Sequence, residues 1–469
     1  MTKLHYFRLA IFSLVVLSSN TFAAKQPNIL LILSDDAGYA DFGFQGSSEM
    51  KTPSLDALAK QSIRFEQAYV SAATCGPSRA GLYTGKYQQR FGFEENNVPG
   101  YMSQSGLHDM EMGLPLNQKT LANYLQDLGY TTALFGKWHQ GDADKYHPLK
   151  RGFDEFVGFR GGSRSYFELS PQQRKVHPQD QWERGFGKIE KVDKYLTDLL
   201  ADEAIRFIQK PQKAPFMAVL SFNAVHTPME VVNQHLALFP ELKGKRQQLA
   251  AMTYAMDLAI ERVLQSLVDS GVEKDTLVIY TNDNGGPSDT NHSNNYPLSG
   301  SKANHLEGGI RVPMLMRWPK RLAANATYGY PVSLLDLLPT FVDIAGGDWQ
   351  AIKDIDGVSL LPYITGENLT RPHQTLFWKK ENRGAIRDMD WKLLRFPDRP
   401  AQLYNIATDI SEQHNLASQH PEKVKQLYQL LFAWELTLER PLWQLQRQYE
   451  GAAMRRMDKF RVPQQHKKQ

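Results

Sequence analysis

A single cysteine, Cys75, in 469 residues leaves this chain unable to close an internal disulfide. That excludes the disulfide-stapled scaffolds of small secreted domains. Beyond the extreme N-terminus there is no apolar run long enough to span a bilayer, so no membrane insertion is expected in the mature protein. Internal repeats and low-complexity tracts are absent, which excludes solenoids and collagen-like chains. The formal net charge is only +4, compatible with an anionic ligand and without the strong basic excess of a nucleic-acid binder. What remains is an ordinary globular composition, 42% apolar and 22% charged, long enough for one large domain and a smaller one.

The N-terminus has its own logic. Lys3, His5 and Arg8 precede the apolar run Leu9–Leu17, and the small-residue stretch Thr21-Phe22-Ala23-Ala24 follows. This order predicts a secretory signal over residues 1–24, with the mature protein periplasmic or secreted. A lone thiol in an oxidising compartment must be buried, paired between chains or chemically altered, which directs attention to Cys75.

Along the mature chain, apolar runs of strand length alternate with amphipathic stretches. The runs Asn28–Leu33, Tyr130–Phe135, Pro215–Phe222, Thr276–Thr281 and Gly309–Arg317 read as strands. Ser54–Ser62 (with Thr52 as N-cap), Leu121–Leu128, Val192–Gln209, Gln247–Ser270 and Ser333–Ala345 read as helices. This alternation predicts an α/β fold with a large, mostly parallel sheet sandwiched by helices over residues 25–371. After Arg371 the texture changes to short strands (Leu376–Lys379, Gly384–Arg387, Trp391–Phe396) and one helix (Pro421–Trp434). Residues 372–469 are therefore expected to form a small antiparallel sheet with one helix and a basic tail. The basic run from Arg455 to Lys468 reads as a solvated tail, with a polyanion contact as the alternative. Arg160–Gly187 is polar and reads as a loop on the surface or at the rim of a site.

In such sheets ligands bind beyond the carboxyl ends of the strands. Four predicted strands run into Ser34-Asp35-Asp36, Gly136-Lys137-Trp138-His139, Asn223-Ala224-Val225-His226 and Asn282-Asp283-Asn284. Four polar endings at one edge describe a site rather than noise.

Cys75 itself lies in Thr74-Cys75-Gly76-Pro77-Ser78-Arg79-Ala80-Gly81-Leu82-Tyr83-Thr84-Gly85. This resembles the C-x-P-S-R-x-x-L-x-T-G signature of type I sulfatases in the alkaline phosphatase-like superfamily. The resemblance implies that a formylglycine-generating maturation enzyme oxidises Cys75 to 3-oxoalanine, whose hydrated aldehyde is the nucleophile toward a sulfate ester. It implies that Asp35, Asp36, Asp283 and Asn284 are metal ligands, an all-oxygen set suited to one Ca²⁺ ion. It further implies that Arg79 holds the diol, that Lys137 faces the sulfate, and that His139 takes the diol proton. His226 and Lys302 would then stand on the leaving-group side. The resemblance covers nearly the whole mature chain; Gln140 departs from the leucine more common after the histidine, a change of packing rather than chemistry.

The stretch Gln88–Glu94 resembles bacterial members similar to N-acetylgalactosamine-6-sulfatases, which implies a sulfated polysaccharide or oligosaccharide as substrate. Polar residues of the predicted site-side loops supply candidates for recognising it: Glu94, Asn96, Arg160, Arg164, Tyr166, His177, Asn291 and His292. Two other readings stay open at this level. One is a phosphatase or phosphodiesterase of the same superfamily; the other is a non-catalytic binder of sulfated glycans.

Overall fold

A computed structural model describes residues 26–96, 112–211, 213–444 and 451–464. The proposed signal lies outside these residues. Among those described, no helix is long and apolar enough to cross a membrane.

Eleven strands form the large sheet: β1 (Asn28–Ser34), β2 (Ile63–Tyr69), β3 (Thr131–Lys137), β4 (Glu155–Phe159), β5 (Glu183–Arg184), β6 (Lys188–Ile189), β7 (Phe216–Ser221), β8 (Thr276–Asn282), β9 (Arg311–Arg317), β10 (Ala326–Tyr328) and β11 (Val332–Ser333). Their order is β10-β2-β9-β8-β1-β7-β3-β4-β5-β6, with β11 also on β2. The centre, β8-β1-β7-β3-β4, is parallel throughout. Every residue of β1, β7 and β8 is buried, as expected of apolar runs with helices on both faces. The fold class read from the sequence is the one observed.

Register decides where the polar endings go. Leu33 pairs with Ser221 on one side and Thr281 on the other, Ser34 pairs with Asn282, and Gly136 pairs with Ser221. The four strands therefore end level with one another, and the residues that follow them share one edge.

Several local expectations change. Thr52 does not cap its helix (Pro53–Lys60); its hydroxyl accepts from Gly43 N and donates to Asp56. The free N–H groups of Ser54 and Leu55 donate instead to the Asp257 carboxylate, at 2.9 and 2.8 Å, from the long helix Gly244–Asp269. The helix expected from Val192 begins at Leu196, because Val192 N is taken by the Glu168 carboxylate at 2.8 Å. Ser333 ends β11 and caps a tight turn before the helix Leu337–Ile344. The Arg160–Gly187 stretch carries a helix, Pro171–Val176, closed by a Ser170–Gln173 capping box, and the β5 strand.

The smaller sheet is antiparallel: β12 (Thr375–Lys380), β13 (Arg383–Asp388), β14 (Trp391–Arg395) and β15 (Gln402–Asn405), covered by the helix Pro421–Glu435. A buried ionic cluster joins it to the large sheet. Lys392 Nζ of β14 lies 2.7 Å from Glu307 Oε1 and 3.0 Å from Glu412 Oε1, all three side chains being wholly buried. Glu307 N donates to Glu412 Oε2 at 2.7 Å, and Tyr69 and Arg311 meet the other Glu307 oxygen. The basic C-terminal run is not a solvated tail over its described part. It forms a helix, Ala452–Lys459, with Met457 and Phe460 buried. Phe460 O accepts from Gly300 N at 2.8 Å, and Arg461 O accepts from Ser299 Oγ at 2.7 Å. The apolar spacing of Ala453, Met457 and Phe460 within the charge run is what seats it.

Candidate active site

The shared strand edge is closed by the helix Cys75–Thr84, all of whose residues are buried. Its first residue, Cys75, faces the edge. Two backbone hydrogen bonds fix the neighbouring loops: Asp35 N donates to Ala224 O at 2.8 Å, and Val225 N donates to Asp35 O at 2.7 Å. Arg79, one turn into the helix, spans three strands. Its Nε donates to Asp283 Oδ2 at 2.8 Å, and its Nη1 donates to Ser221 Oγ at 2.5 Å and Lys137 O at 3.2 Å. Lys137 Nζ lies 2.5 Å from Asp35 Oδ2. Lys302 Nζ donates to Asp36 Oδ2 at 2.8 Å and lies 3.6 Å from Cys75 Sγ. His226 Nε2 is 3.4 Å from Asp36 Oδ2, while its Nδ1 lies 2.7 Å from Thr227 O, which makes Nδ1 the protonated nitrogen. Asp36 and His139 both hold left-handed backbone conformations (φ +61° and +57°), a strain that tight loops at sites carry.

The electrostatics are those of a crowded, dry site. Burial, then the Asp283 charge, push the Asp35 carboxyl up to about 7. Burial acts on Asp36 too, but Lys302 and His226 prevail and hold it below the usual carboxylate range. Burial lowers His226 to about 4 against the pull of Asp36. It drives His139 well below its ordinary value, aided by Lys137 and Arg79, so both imidazoles are neutral at pH 7. For Lys302 the neighbouring Asp36 and Cys75 outweigh burial and keep it protonated.

One feature of the acidic set bears on metal binding. Asp35 Oδ1, Asp283 Oδ1 and Asn284 Oδ1 are buried with no hydrogen-bond partner among the described residues. Asn284 turns its Nδ2 toward Asp36 Oδ1 at 2.7 Å, leaving its oxygen free. Oxygens of Asp35 and Asp36 and the His226 nitrogen lie within 4.8 Å of one another, as do atoms of Asp35, Cys75 and Asp283. Orphaned buried acceptors are costly unless something pairs with them. Asp35, Asp36, Asp283 and Asn284 therefore fit a metal ion with a preference for hard oxygen donors.

A cavity of about 480 Å³ opens over Cys75, Lys302, His139 and His226. Neither ring nitrogen of His139 makes a hydrogen bond among the described residues. The far wall comes from the 160–181 stretch and includes Arg164, His177 and Asp180, two of which sequence reading selected. Asn96 also lines the cavity, its Oδ1 accepting from Gly76 N at 3.0 Å. The other selected residues do not line it. Glu94 is buried in an ion pair with Lys379 and accepts from Glu381 N. Arg160 is spent on Glu183 and Asp144. His292 sits in a separate hollow with Lys459 and Phe460. Tyr166 and Asn291 are buried supports: the Tyr166 hydroxyl meets Asn223 O and His226 O at 2.7 and 2.8 Å, and Asn291 Nδ2 donates to Asp36 O at 2.9 Å.

Three participants were missed. Ser221, the last residue of β7, was findable by the strand-end rule. Gln140 does more than pack, since its Nε2 donates to Gly76 O at 2.9 Å, at the start of the Cys75 helix. Asp180 carries no local signal in its polar stretch.

The sulfatase family profile matches residues 27–347, over half the chain. The chain belongs to the sulfatase family. Within this sulfatase, residues 301–435 also match the C-terminal region of N-sulphoglucosamine sulphohydrolase. It is 32% identical to N-acetylgalactosamine-6-sulfatase of Rattus norvegicus over 367 residues, covering 75% of this chain and 68% of that one. It is 29% identical to human arylsulfatase D, covering 79% and 75%. Among solved structures, Ps i-CgsB in complex with k-i-k-neocarrahexaose superposes with a TM-score of 0.83 at 35% identity, covering 92% of this chain and 97% of that one. The chain is thus a sulfatase enzyme, and its chemistry is hydrolysis of sulfate esters.

Proposed function

We propose that this sulfatase removes sulfate from a sulfated oligosaccharide of the carrageenan type, using formylglycine made from Cys75 and a Ca²⁺ ion. The observation that carries the reading is the placement of the sole cysteine. Cys75 is buried at the start of a helix, 3.6 Å from the Lys302 ammonium, and groups with the Asp35 and Asp283 carboxylates of the acidic edge. The saccharide class is supported by the 35% identical neighbour solved with a neocarrahexaose.

Asp35, Asp36, Asp283 and Asn284 would hold the Ca²⁺, whose charge would screen sulfate oxygens. Formylglycine would supply a hydrated aldehyde as the nucleophile at position 75. The chain's own groups do the rest. Arg79, fixed by Asp283 and Ser221, keeps an Nη2 that makes no hydrogen bond among the described residues and lies 3.9 Å from Asp35 Oδ2; its charge acts on position 75 and orients its hydroxyls. Lys137 lends positive charge to the sulfate side. His139, neutral and unpartnered, accepts a proton from position 75. Lys302 and the Nε2 side of His226 face the departing oxygen, where Lys302, held protonated, stabilises developing negative charge. Export by the 1–24 segment and maturation by a formylglycine-generating enzyme belong to the same proposal.

The test is a mass measurement and an assay on one preparation, made with the maturation enzyme. The peptide containing position 75 should carry the aldehyde, and sulfate should be released from a neocarra-oligosaccharide faster than phosphate from a matched phosphate ester. Cysteine at position 75 in fully active material would refute the formylglycine role.

A further inference from the structure

The cavity has one wall that the reaction at sulfur does not use, and Arg164 stands in it. The residue is only 4% exposed. Its Nε donates to Ser165 O at 2.9 Å and its Nη2 to Phe167 O at 3.2 Å, both neutral carbonyls of its own loop. Its guanidinium carbon lies 5.9 Å from the centroid of the Phe159 ring. Its Nη1 is buried with no hydrogen-bond partner among the described residues, and no carboxylate of those residues is within ion-pairing distance. The nearby acids are committed elsewhere. Glu230 Oε2 accepts from Ser165 Oγ and Tyr166 N, both at 2.7 Å. Glu168 pairs with Arg174 at 2.6 Å and accepts from Val192 N at 2.8 Å. Asp180, on the same wall, is a weak counter-ion because burial raises its carboxyl to about 7.

A buried cation without a counter-ion is costly even where carbonyls and a ring meet it, and a pocket that keeps one favours an anion arriving with the ligand. The free N–H can make one charge-assisted hydrogen bond, the stronger kind. The wall is also rigidly tied to the chemistry, since Gly162, two residues away, packs so closely on the His139 ring that an added Cβ would lie 2.6 Å from Nε2.

We propose that Arg164 is a specificity-determining residue that pairs with a second anionic substituent, a sulfate ester or a carboxylate, on the saccharide whose first sulfate sits at position 75. This rests on the saccharide sulfatase reading above and adds that the preferred substrate carries two negative groups near each other.

Binding is measured by calorimetry on the full chain with Cys75→Ala, which blocks turnover. The probes are three galactose disaccharides of equal length, bearing one sulfate, two sulfates, or one sulfate and one carboxylate. A dianionic probe should bind roughly 10- to 100-fold more tightly than the monosulfated one, the scale of one hydrogen bond between charged groups. The probe that shows this preference identifies the anion. Adding Arg164→Gln should shrink the preference to about threefold or less. Arg164→Lys, made in case the glutamine variant does not fold, keeps a cation with shorter reach and should retain a reduced preference. Equal binding of all probes by the parent, an unchanged preference in Arg164→Gln, or a full preference in Arg164→Lys would overturn the assignment. Sulfate release by the wild-type enzyme is scored separately. Absent release with intact Arg164-dependent binding would sink the hydrolytic reading on saccharides and leave this one standing.

Discussion

Replacing Lys392 with methionine, which is similar in length and apolar, removes the one ammonium shared by Glu307 and Glu412. Breaking a buried pair from one side usually costs about 3–5 kcal/mol, because a carboxylate is left without compensation. Here the cost divides unevenly. Glu307 keeps the Tyr69 hydroxyl and the Arg311 guanidinium, and although burial opposes ionisation, Lys392 and Arg311 hold it down to about 2. Glu412 is already lifted to about 7, by burial against Lys392 and then by Glu307. Its folded value stands above its unfolded one, so its contribution is complete below pH 4.5 and is lost as pH rises through about 7. Taking Lys392 away lifts Glu412 further, so the variant should suffer most in alkali. We expect a loss near the full range at pH 8, an apparent Tm drop of roughly 3–5 °C for a chain this long. At pH 5.5, where Glu412 holds a proton, the loss should be less than half of that. Glu412→Gln in the Lys392→Met background should recover part of the loss at pH 8. Melting curves at the two pH values decide the matter. A loss below about 1 kcal/mol, or one independent of pH, would refute the account of this cluster.

Gly162→Ala puts a methyl 2.6–2.7 Å from two His139 ring atoms, and should lower kcat about 100-fold while costing only about 1–3 kcal/mol of stability; unchanged kcat would show that His139 is free to move or idle. Asp180 of the cavity wall is raised to about 7, chiefly by burial, so the wall gains negative charge as pH climbs through that value. KM for a sulfated oligosaccharide should therefore rise several-fold from pH 6 to 8.5, on the order of 1 kcal/mol, and Asp180→Asn should flatten that rise in a pH series of steady-state kinetics. Dialysis against a calcium chelator should lower both activity and the melting temperature. Because Asp35 without an ion sits near 7, stability of the stripped protein should decline as pH rises through that value, and Ca²⁺ should restore more at pH 8 than at pH 6. Restoration that is equal at both would argue against Asp35 as a ligand.

How much of this was legible in the sequence follows from the range of the interactions. The central strands could be read because both of their faces are buried, which leaves continuous apolar runs such as Ile29–Leu33 bounded by charged residues. The polar endings could then be grouped, since parallel strands deliver their C-terminal residues to one edge. Side chains selected for polarity alone were harder. Glu94 and Arg164 look alike as loop residues, yet Lys379, some 285 positions away, takes the first, while the second hydrogen-bonds, among the described residues, to carbonyls of its own loop alone. The capping of residues 54 and 55 by Asp257 was hidden for the same reason, because the partner lies about 200 residues further on. Local pattern predicts elements; distant pairing decides what each polar group is spent on.

The docking of residues 460 and 461 on Gly300 and Ser299 places part of the molecule's assembly late in time. Lys302 stands two residues beyond that contact, so the loop that carries it gains these two anchors only when a segment 162 positions further on has been made. Everything else at the strand edge is synthesised by residue 284. During synthesis the enzyme would thus pass through a long interval in which its acidic pocket exists and the loop of its final cation lacks these two anchors. Deleting residues 460 and 461 would undo that closing step rather than trim a remote tail.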